Sequence, residues 1–317
     1  MTILSLPANQ PETFYRGAGR IAAFRSAPGL PDRPEDWVAS TTSRFGHAPA
    51  GMTALPDGRL LADAIAADPG WWLGPDGGTE PEILVKLLDT GQRLPLHVHP
   101  DRRFASAHLA SPYGKTEAWV ILSADADAYV HLGFRRDVDA DELAGWVRGQ
   151  NVDEMLAATN RVPVHAGEAL LCPAGVPHAI GPGVLLVEVQ EPTDFSVLLE
   201  YAGFAVDGPA EGHLGLGYSL ALACVDRSTW TRERLAELRG TDRLLPDAAD
   251  PFFSCERLGP QDRIAPGFSV VVITAGTGTL IGEHDRSEVR RGDTLLVPHA
   301  AGPLTLAGEV EGLRVSR

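Results

Sequence analysis

A chain of 317 residues with 44% hydrophobic content can bury a large core, as one big domain or two ordinary ones, and is not disordered in composition. The formal charge of −15 argues against a phosphate-backbone partner, because nucleic-acid binding needs a positive surface. Cys172, Cys224 and Cys255 form no CxxC pair and no disulfide framework, so they read as buried small hydrophobes. The N-terminus lacks a basic leader with an apolar run, and no stretch approaches the roughly 20 apolar residues that span a bilayer, so the expected location is cytoplasmic. Basic residues are unevenly chosen: 25 are arginine, and lysine occurs only at Lys86 and Lys115. Arginine serves wherever any charge will do, so a retained lysine points to a need for a compact ammonium.

In chain order, β-type runs appear at 83–89 (ILVKLLD), 117–122 (EAWVIL), 128–134 (AYVHLGF), 168–173 (EALLCP) and 183–190 (GVLLVEVQ), punctuated by many of the 59 Gly and Pro residues. Helical patterning is confined to islands at 59–68, 139–149, 152–159 and 231–240. Residues 241–251 have loop composition, and a second β-rich block runs from about 252 to the end. The phrases GEALLCPAGVPHAI at 167–180 and GDTLLVPHAAGPLTL at 292–306 form a weak internal repeat, which predicts two related β-barrels. Only the first copy keeps a His on its turn. His299 comes four residues too early and reads as a turn or surface residue, and the second barrel is expected to be structural.

His97 and His99 in LPLHVHPD are one residue apart in an extended run, so both imidazoles project from one face. Glu117 in GKTEAWVIL and His178 in PAGVPHAI, each at the edge of a predicted strand, complete a three-imidazole, one-carboxylate set suited to a single divalent ion with open positions. Lys115 shares the Glu117 face. Glu188 sits alone in an apolar strand, where a carboxylate is expensive unless paired or functional, and Lys86 interrupts another apolar run. His108, His131, His165, His213 and His284 have no such neighbourhood and read as surface or packing residues.

The run from Gly167 to His178, with Pro173 and Gly175 between, resembles the second motif of the cupin superfamily, and HxH with a later Glu resembles the first. The chain is further similar to the type I phosphomannose isomerases in LVKLLD, LPLHVHPD, GKTEAWVIL, PAGVPHAIGPGVLLVEVQEPTD and PEDWVAS. The resemblance implies a mainly β fold of the cupin (double-stranded β-helix, jelly-roll) type, with two cupin-like barrels and small helical insertions. Residues 1–205 would form the catalytic metal-binding domain with an insertion near 137–160, residues 206–250 a connection, and residues 251–317 a degenerate cupin-like domain without metal. The implied activity is aldose–ketose isomerisation of a small-molecule sugar through an enediol. The implied cofactor is one divalent ion, zinc foremost, with manganese, iron or nickel also suited to this donor set. Lys115 and Glu188 would be the catalytic groups, with Glu188 the base, and Lys86 and Trp119 would contact substrate.

Three positions depart from the family pattern. His97 replaces a Gln ligand, Pro95 replaces a Ser associated with the phosphate end, and the family's Tyr-Arg falls on Val197 and Leu198. Losing an Arg and a hydroxyl removes charge-assisted contacts worth about 1.5–3 kcal/mol each. The sequence therefore points to an unphosphorylated or altered sugar unless Arg135, Arg136 or another Arg reaches the pocket. The alternatives are a cupin oxygenase, since three His and a Glu suit iron, and a catalytically silent sugar-binding cupin.

Overall fold

The structure is a computed structural model that describes residues 2–27, 29–283 and 285–317, so His284 lies outside the described residues. One five-stranded antiparallel sheet runs Glu35–Val38, Leu84–Asp89, Val184–Gln190, Glu117–Ala124, Ala169–Cys172. A second runs Val197–Leu198, His97–Val98, His178–Ile180, Tyr129–Phe134, Thr159–Pro163. Leu186 and Leu170 of the first sheet share one hydrophobic cluster with Val130, Leu132 and Ile180 of the second, which makes a two-layer barrel core. Every residue of Leu84–Asp89 and Val184–Gln190 is buried, which is why these strands read as near-continuous apolar runs.

The C-terminal block is a seven-stranded sheet built on two long strands, Ser269–Ile281 and Leu304–Ser316. Alternation sorts its side chains: Val270 and Val272 pack into the barrel core, whereas Val271 and Ile273 enter a separate core with Leu280, Leu306 and Val310. Leu4–Ser5 pairs with Leu295 and Leu296, so the start of the chain is stitched onto this sheet. His299 lies on a tight turn, His299–Ala301, as its sequence position suggests. Its ring packs against Gly74, where φ is +91° and a Cβ would come within 2.6 Å of Nδ1.

The four helical islands form as Leu61–Ala67, Ala140–Gly149, Val152–Ala158 and a shorter Arg232–Ala236. A further helix, Arg102–His108, is capped by the Asp101 carboxylate accepting from the Phe104 N–H at 2.7 Å. It takes up the extra length between His99 and Glu117. Among the described residues no helix is long and apolar enough to cross a membrane.

Arg25 clamps the two parts together. Its Nε donates to Asp36 at 2.5 Å, Nη1 to the Leu6 carbonyl at 3.1 Å and Nη2 to Thr294 Oγ1 at 2.8 Å, all buried. Burial nonetheless pushes the Asp36 carboxyl above its ordinary value against the pull of Arg25. Arg25→Met should therefore cost roughly 3–5 kcal/mol in urea unfolding by stranding that carboxylate, and the double variant R25M/D36L should recover much of it. A near-neutral single variant would show that the pair does not hold the sheet.

Candidate metal centre and cavity

The strand register assembles the centre. His97 and His178 are direct partners across their sheet, and Glu117 is the first residue of a strand in the facing sheet. The His97 and His178 ring centroids are 4.1 Å apart, and His99 is 4.8 Å from each. Each ring is anchored by Nδ1, which donates to a backbone carbonyl: His97 to Pro95 at 2.9 Å, His99 to Phe195 at 2.7 Å and His178 to Val176 at 2.8 Å. Since a carbonyl only accepts, the proton resides on Nδ1 and the Nε2 lone pair is left free, the arrangement that orients metal-ligating imidazoles.

The Nε2 side shows what is missing from the protein's own donors. His178 Nε2 is buried without a hydrogen-bond partner, yet it faces Glu117 Oε1 at 3.3 Å, while His99 Nε2 faces Glu117 Oε2 at 3.0 Å. Each pair sets one acceptor against another, and a shared cation resolves both. The Lys115 ammonium answers part of this, donating at 2.8 Å to both His99 Nε2 and Glu117 Oε2. Burial and the neighbouring rings push His97 well below its ordinary pKa, and burial with the Lys115 charge brings His99 to about 3, so both are neutral donors. Burial would raise Glu117, but the Lys115 ammonium holds its carboxyl well below the usual range. The donor set fits a divalent ion. Cys172 also approaches, at 3.3 Å, but it meets the engaged Nδ1 edge of His178, and burial pushes its thiol well up, so it packs behind the ring.

A cavity of about 350 Å³ opens beside this centre, within the range of small-molecule sites, and His97, Lys115, Lys86 and Glu188 all line it. Trp37, Lys86, Glu188 and Trp119 form one row across adjacent strands of the sheet. The Lys86 ammonium lies 4.4 Å from the centre of the Trp37 ring and 3.4, 3.6 and 3.9 Å from Glu35, Glu188 and Asp194. Burial opposes this ammonium, and the three carboxylates outweigh it, raising its pKa. Burial and the Glu117 charge push Glu188 up to about 7 against Lys115 and Lys86.

The expected placement of Trp119 against a sugar needs correction. Its side chain is fully buried and does not line the cavity; its indole N–H donates to Glu117 Oε1 at 2.9 Å, which positions that carboxylate. Period-2 alternation gave the correct face and not the depth. The indole on the cavity wall is Trp37. Lys86 does line the cavity, although its charge is already engaged by carboxylates.

Pro95 and Leu198 also line the wall. Arg136 is instead paired with Glu142 at 2.6 Å, and Arg135 lies in a separate cavity. The arginine that does reach the site is Arg44, with His47 beside it, on the loop after Glu35–Val38. Phe45 N–H donates to Asp194 at 3.1 Å and fastens this loop. Gly51, at φ +90°, lets it cross the Trp37 ring, where a Cβ would come within 2.5 Å. Glu35, Arg44, His47 and Asp194 were not foreseen from sequence. The available signal was that Glu35 and Trp37 share one face of EDWV.

This two-sheet barrel has the cupin fold, and the histidines and glutamate gathered in it are a group that could hold a metal ion. No family model matches the chain. A mannose-6-phosphate isomerase of Bacillus subtilis (strain 168) is 29% identical over 238 residues, 72% of this chain and 73% of that protein. The crystal structure of the mannose 6-phosphate isomerase from Bacillus subtilis superposes with a TM-score of 0.75 at 18% identity, covering 100% of both chains. A mannose 6-phosphate isomerase bound with zinc and yttrium gives 0.75 at 15% identity, again over 100% of both. The chain is thus similar in sequence, at 24–29% identity, to curated mannose-6-phosphate isomerases, and in fold to solved ones.

Proposed function

We propose that this protein is a metal-dependent aldose–ketose isomerase acting on an unphosphorylated hexose-type sugar. His97, His99 and His178, through Nε2, and Glu117 would hold the ion, and zinc best suits three neutral imidazoles and a carboxylate. The observation that carries this reading is a cluster of three carbonyl-anchored imidazoles, two of which face Glu117, beside a cavity lined by Glu188 and Lys115. When bound, the ion supplies Lewis-acid stabilisation of the negative charge that develops on the sugar oxygens. Glu188 takes the proton from C2 as the C1–C2 double bond forms, and returns it to C1, while Lys115 gives a proton to O1 and recovers one from the O2 hydroxyl as the ketose carbonyl forms. The Lys115 ammonium donates to a developing oxyanion, and the Lys86 ion pairs hold Glu188 in place. Exchange of the C2 proton of mannose with deuterated water, requiring loaded protein, tests this directly. Exchange without ketose formation would leave only proton abstraction, and no exchange with any aldose would leave a sugar-binding cupin.

The carboxylates support the neutral substrate. Glu35, Glu188 and Asp194 surround Lys86, and an apolar Leu198 and Pro95 form the adjoining wall, so a phosphate would meet repulsion on this side and find a guanidinium at Arg44 alone among the lining residues. Mannose should therefore exceed mannose 6-phosphate in kcat/KM. Leu198→Arg should raise the phosphorylated-to-free ratio by about tenfold or more, the equivalent of one charge-assisted contact of ~1.5–3 kcal/mol. A parent enzyme that prefers mannose 6-phosphate, and loses that preference in Arg44→Ala, would overturn this choice of substrate and assign the phosphate to Arg44.

A further inference from the structure

A second cavity, of about 840 Å³, lies between strand Thr159–Pro163 and helix Arg232–Ala236. Arg135, Arg161, Arg232 and Arg239 all line it, with Leu156 and Leu235, and no Asp or Glu among the described residues does. In a chain with 42 acidic and 27 basic residues, four guanidinium groups on one concavity without a lining carboxylate run against the composition. Several arginines elsewhere on the surface are paired, Arg20 with Asp125, Arg33 with Glu12, Arg59 with Asp57 and Arg243 with Asp250, and ones unpaired among the described residues, such as Arg103 and Arg148, do not line this cavity. Here Arg135 and Arg232 have no ion-pair partner among the described residues. Arg161 stacks over Tyr129 at 3.7 Å, and Arg239 meets Glu168 only at 3.7 Å, with its buried Nη1 lacking a hydrogen bond.

Like charges gathered in a concave site repel one another and focus a positive potential into it, which an entering anion relieves. A guanidinium presents a planar fork that matches phosphate oxygens, and a phosphate carries enough charge to compensate several arginines at once. We propose that this cavity is a binding site for a small phosphorylated ligand, separate from the metal centre. Leu156 and Leu235 give such a ligand an apolar surface between the arginines.

The test is calorimetric titration of the metal-loaded protein with inorganic phosphate, against chloride at matched ionic strength. One phosphate should bind per chain. Affinity should fall at least tenfold in R135A/R232A, recover in part in R135K/R232K, and stay unchanged in Arg44→Ala. No binding up to millimolar phosphate would overturn the proposal, as would full binding by R135A/R232A. Loss of binding in Arg44→Ala alone would overturn it by placing the phosphate in the metal-side cavity. Binding of polyglutamate without binding of phosphate would overturn it in favour of a contact face for an acidic macromolecule.

Discussion

His178→Ala and His99→Ala should each purify without stoichiometric metal and without isomerase activity. Both rings are buried, both are fixed by an Nδ1 donation to a backbone carbonyl, and both present Nε2 to Glu117 within 3.3 Å. Losing a hydrogen-bond partner behind a metal ligand costs roughly 10–100-fold in affinity, and losing the ligand itself should cost more. Alanine also leaves a void that water enters, which weakens the hold of the remaining donors on the ion. Cys172→Ala is the matched control, since its sulfur touches the Nδ1 side of His178 and should be dispensable for metal. Elemental analysis of the purified proteins decides the matter, with thermal unfolding measured before and after chelation. Metal should stabilise the parent by about 4 kcal/mol at a thousandfold excess over Kd and leave the two histidine variants unmoved. A full equivalent of metal in His178→Ala would remove that residue from the donor set.

These candidate ligands could be grouped from the sequence because each lies in a short local pattern whose spacing fixes its face. HxH and the Gly-Pro-Gly-His turn need only period-2 alternation and one tight turn to be read. The rest of the cavity depends on register between strands distant in sequence. Lys86 meets Glu188 and Trp37 only because Leu84–Asp89 lies between Val184–Gln190 and Glu35–Val38 in the sheet. Alternation could place Trp119 on the correct side of its strand, but depth is set by what packs above it, and Glu117 and His178 cover that ring. Arg44 was hidden for a different reason: it belongs to a loop held by contacts distant in sequence, the Phe45 N–H on Asp194 149 residues away, the Phe45 ring on Phe195 and Asn9 on the Gly51 carbonyl. Helix Arg102–His108 carries only Ala105 as a buried residue, so it had no apolar stripe to announce it.

Glu188→Gln should lower kcat by roughly 10²–10⁴-fold, the usual contribution of a positioned general base, while retaining a full complement of metal. Glutamine keeps the size and hydrogen-bonding shape of the side chain but cannot accept a proton from carbon. The Lys86 ammonium keeps Glu35 and Asp194 as partners, at 3.4 and 3.9 Å, so the fold should tolerate the change. The pH behaviour gives a second readout. Burial and the Glu117 charge raise the Glu188 carboxyl, and the acid must lose its proton before it can act as a base, so kcat/KM should rise with pH through this group. A bound divalent ion adds positive charge nearby and should draw that limb below its position in metal-free protein. In metal-free protein the folded state holds the Glu188 proton to higher pH than the unfolded chain does. Stability contributed by this group is therefore present in acid and is lost as pH rises from the ordinary carboxyl value of 4.5 towards about 7. Glu188→Gln should flatten that slope, which a purely catalytic assay would not reveal. Should the variant lose the slope but keep kcat within severalfold of the parent, Glu188 would be a buried partner of Lys86 and the base would have to be sought elsewhere in the cavity.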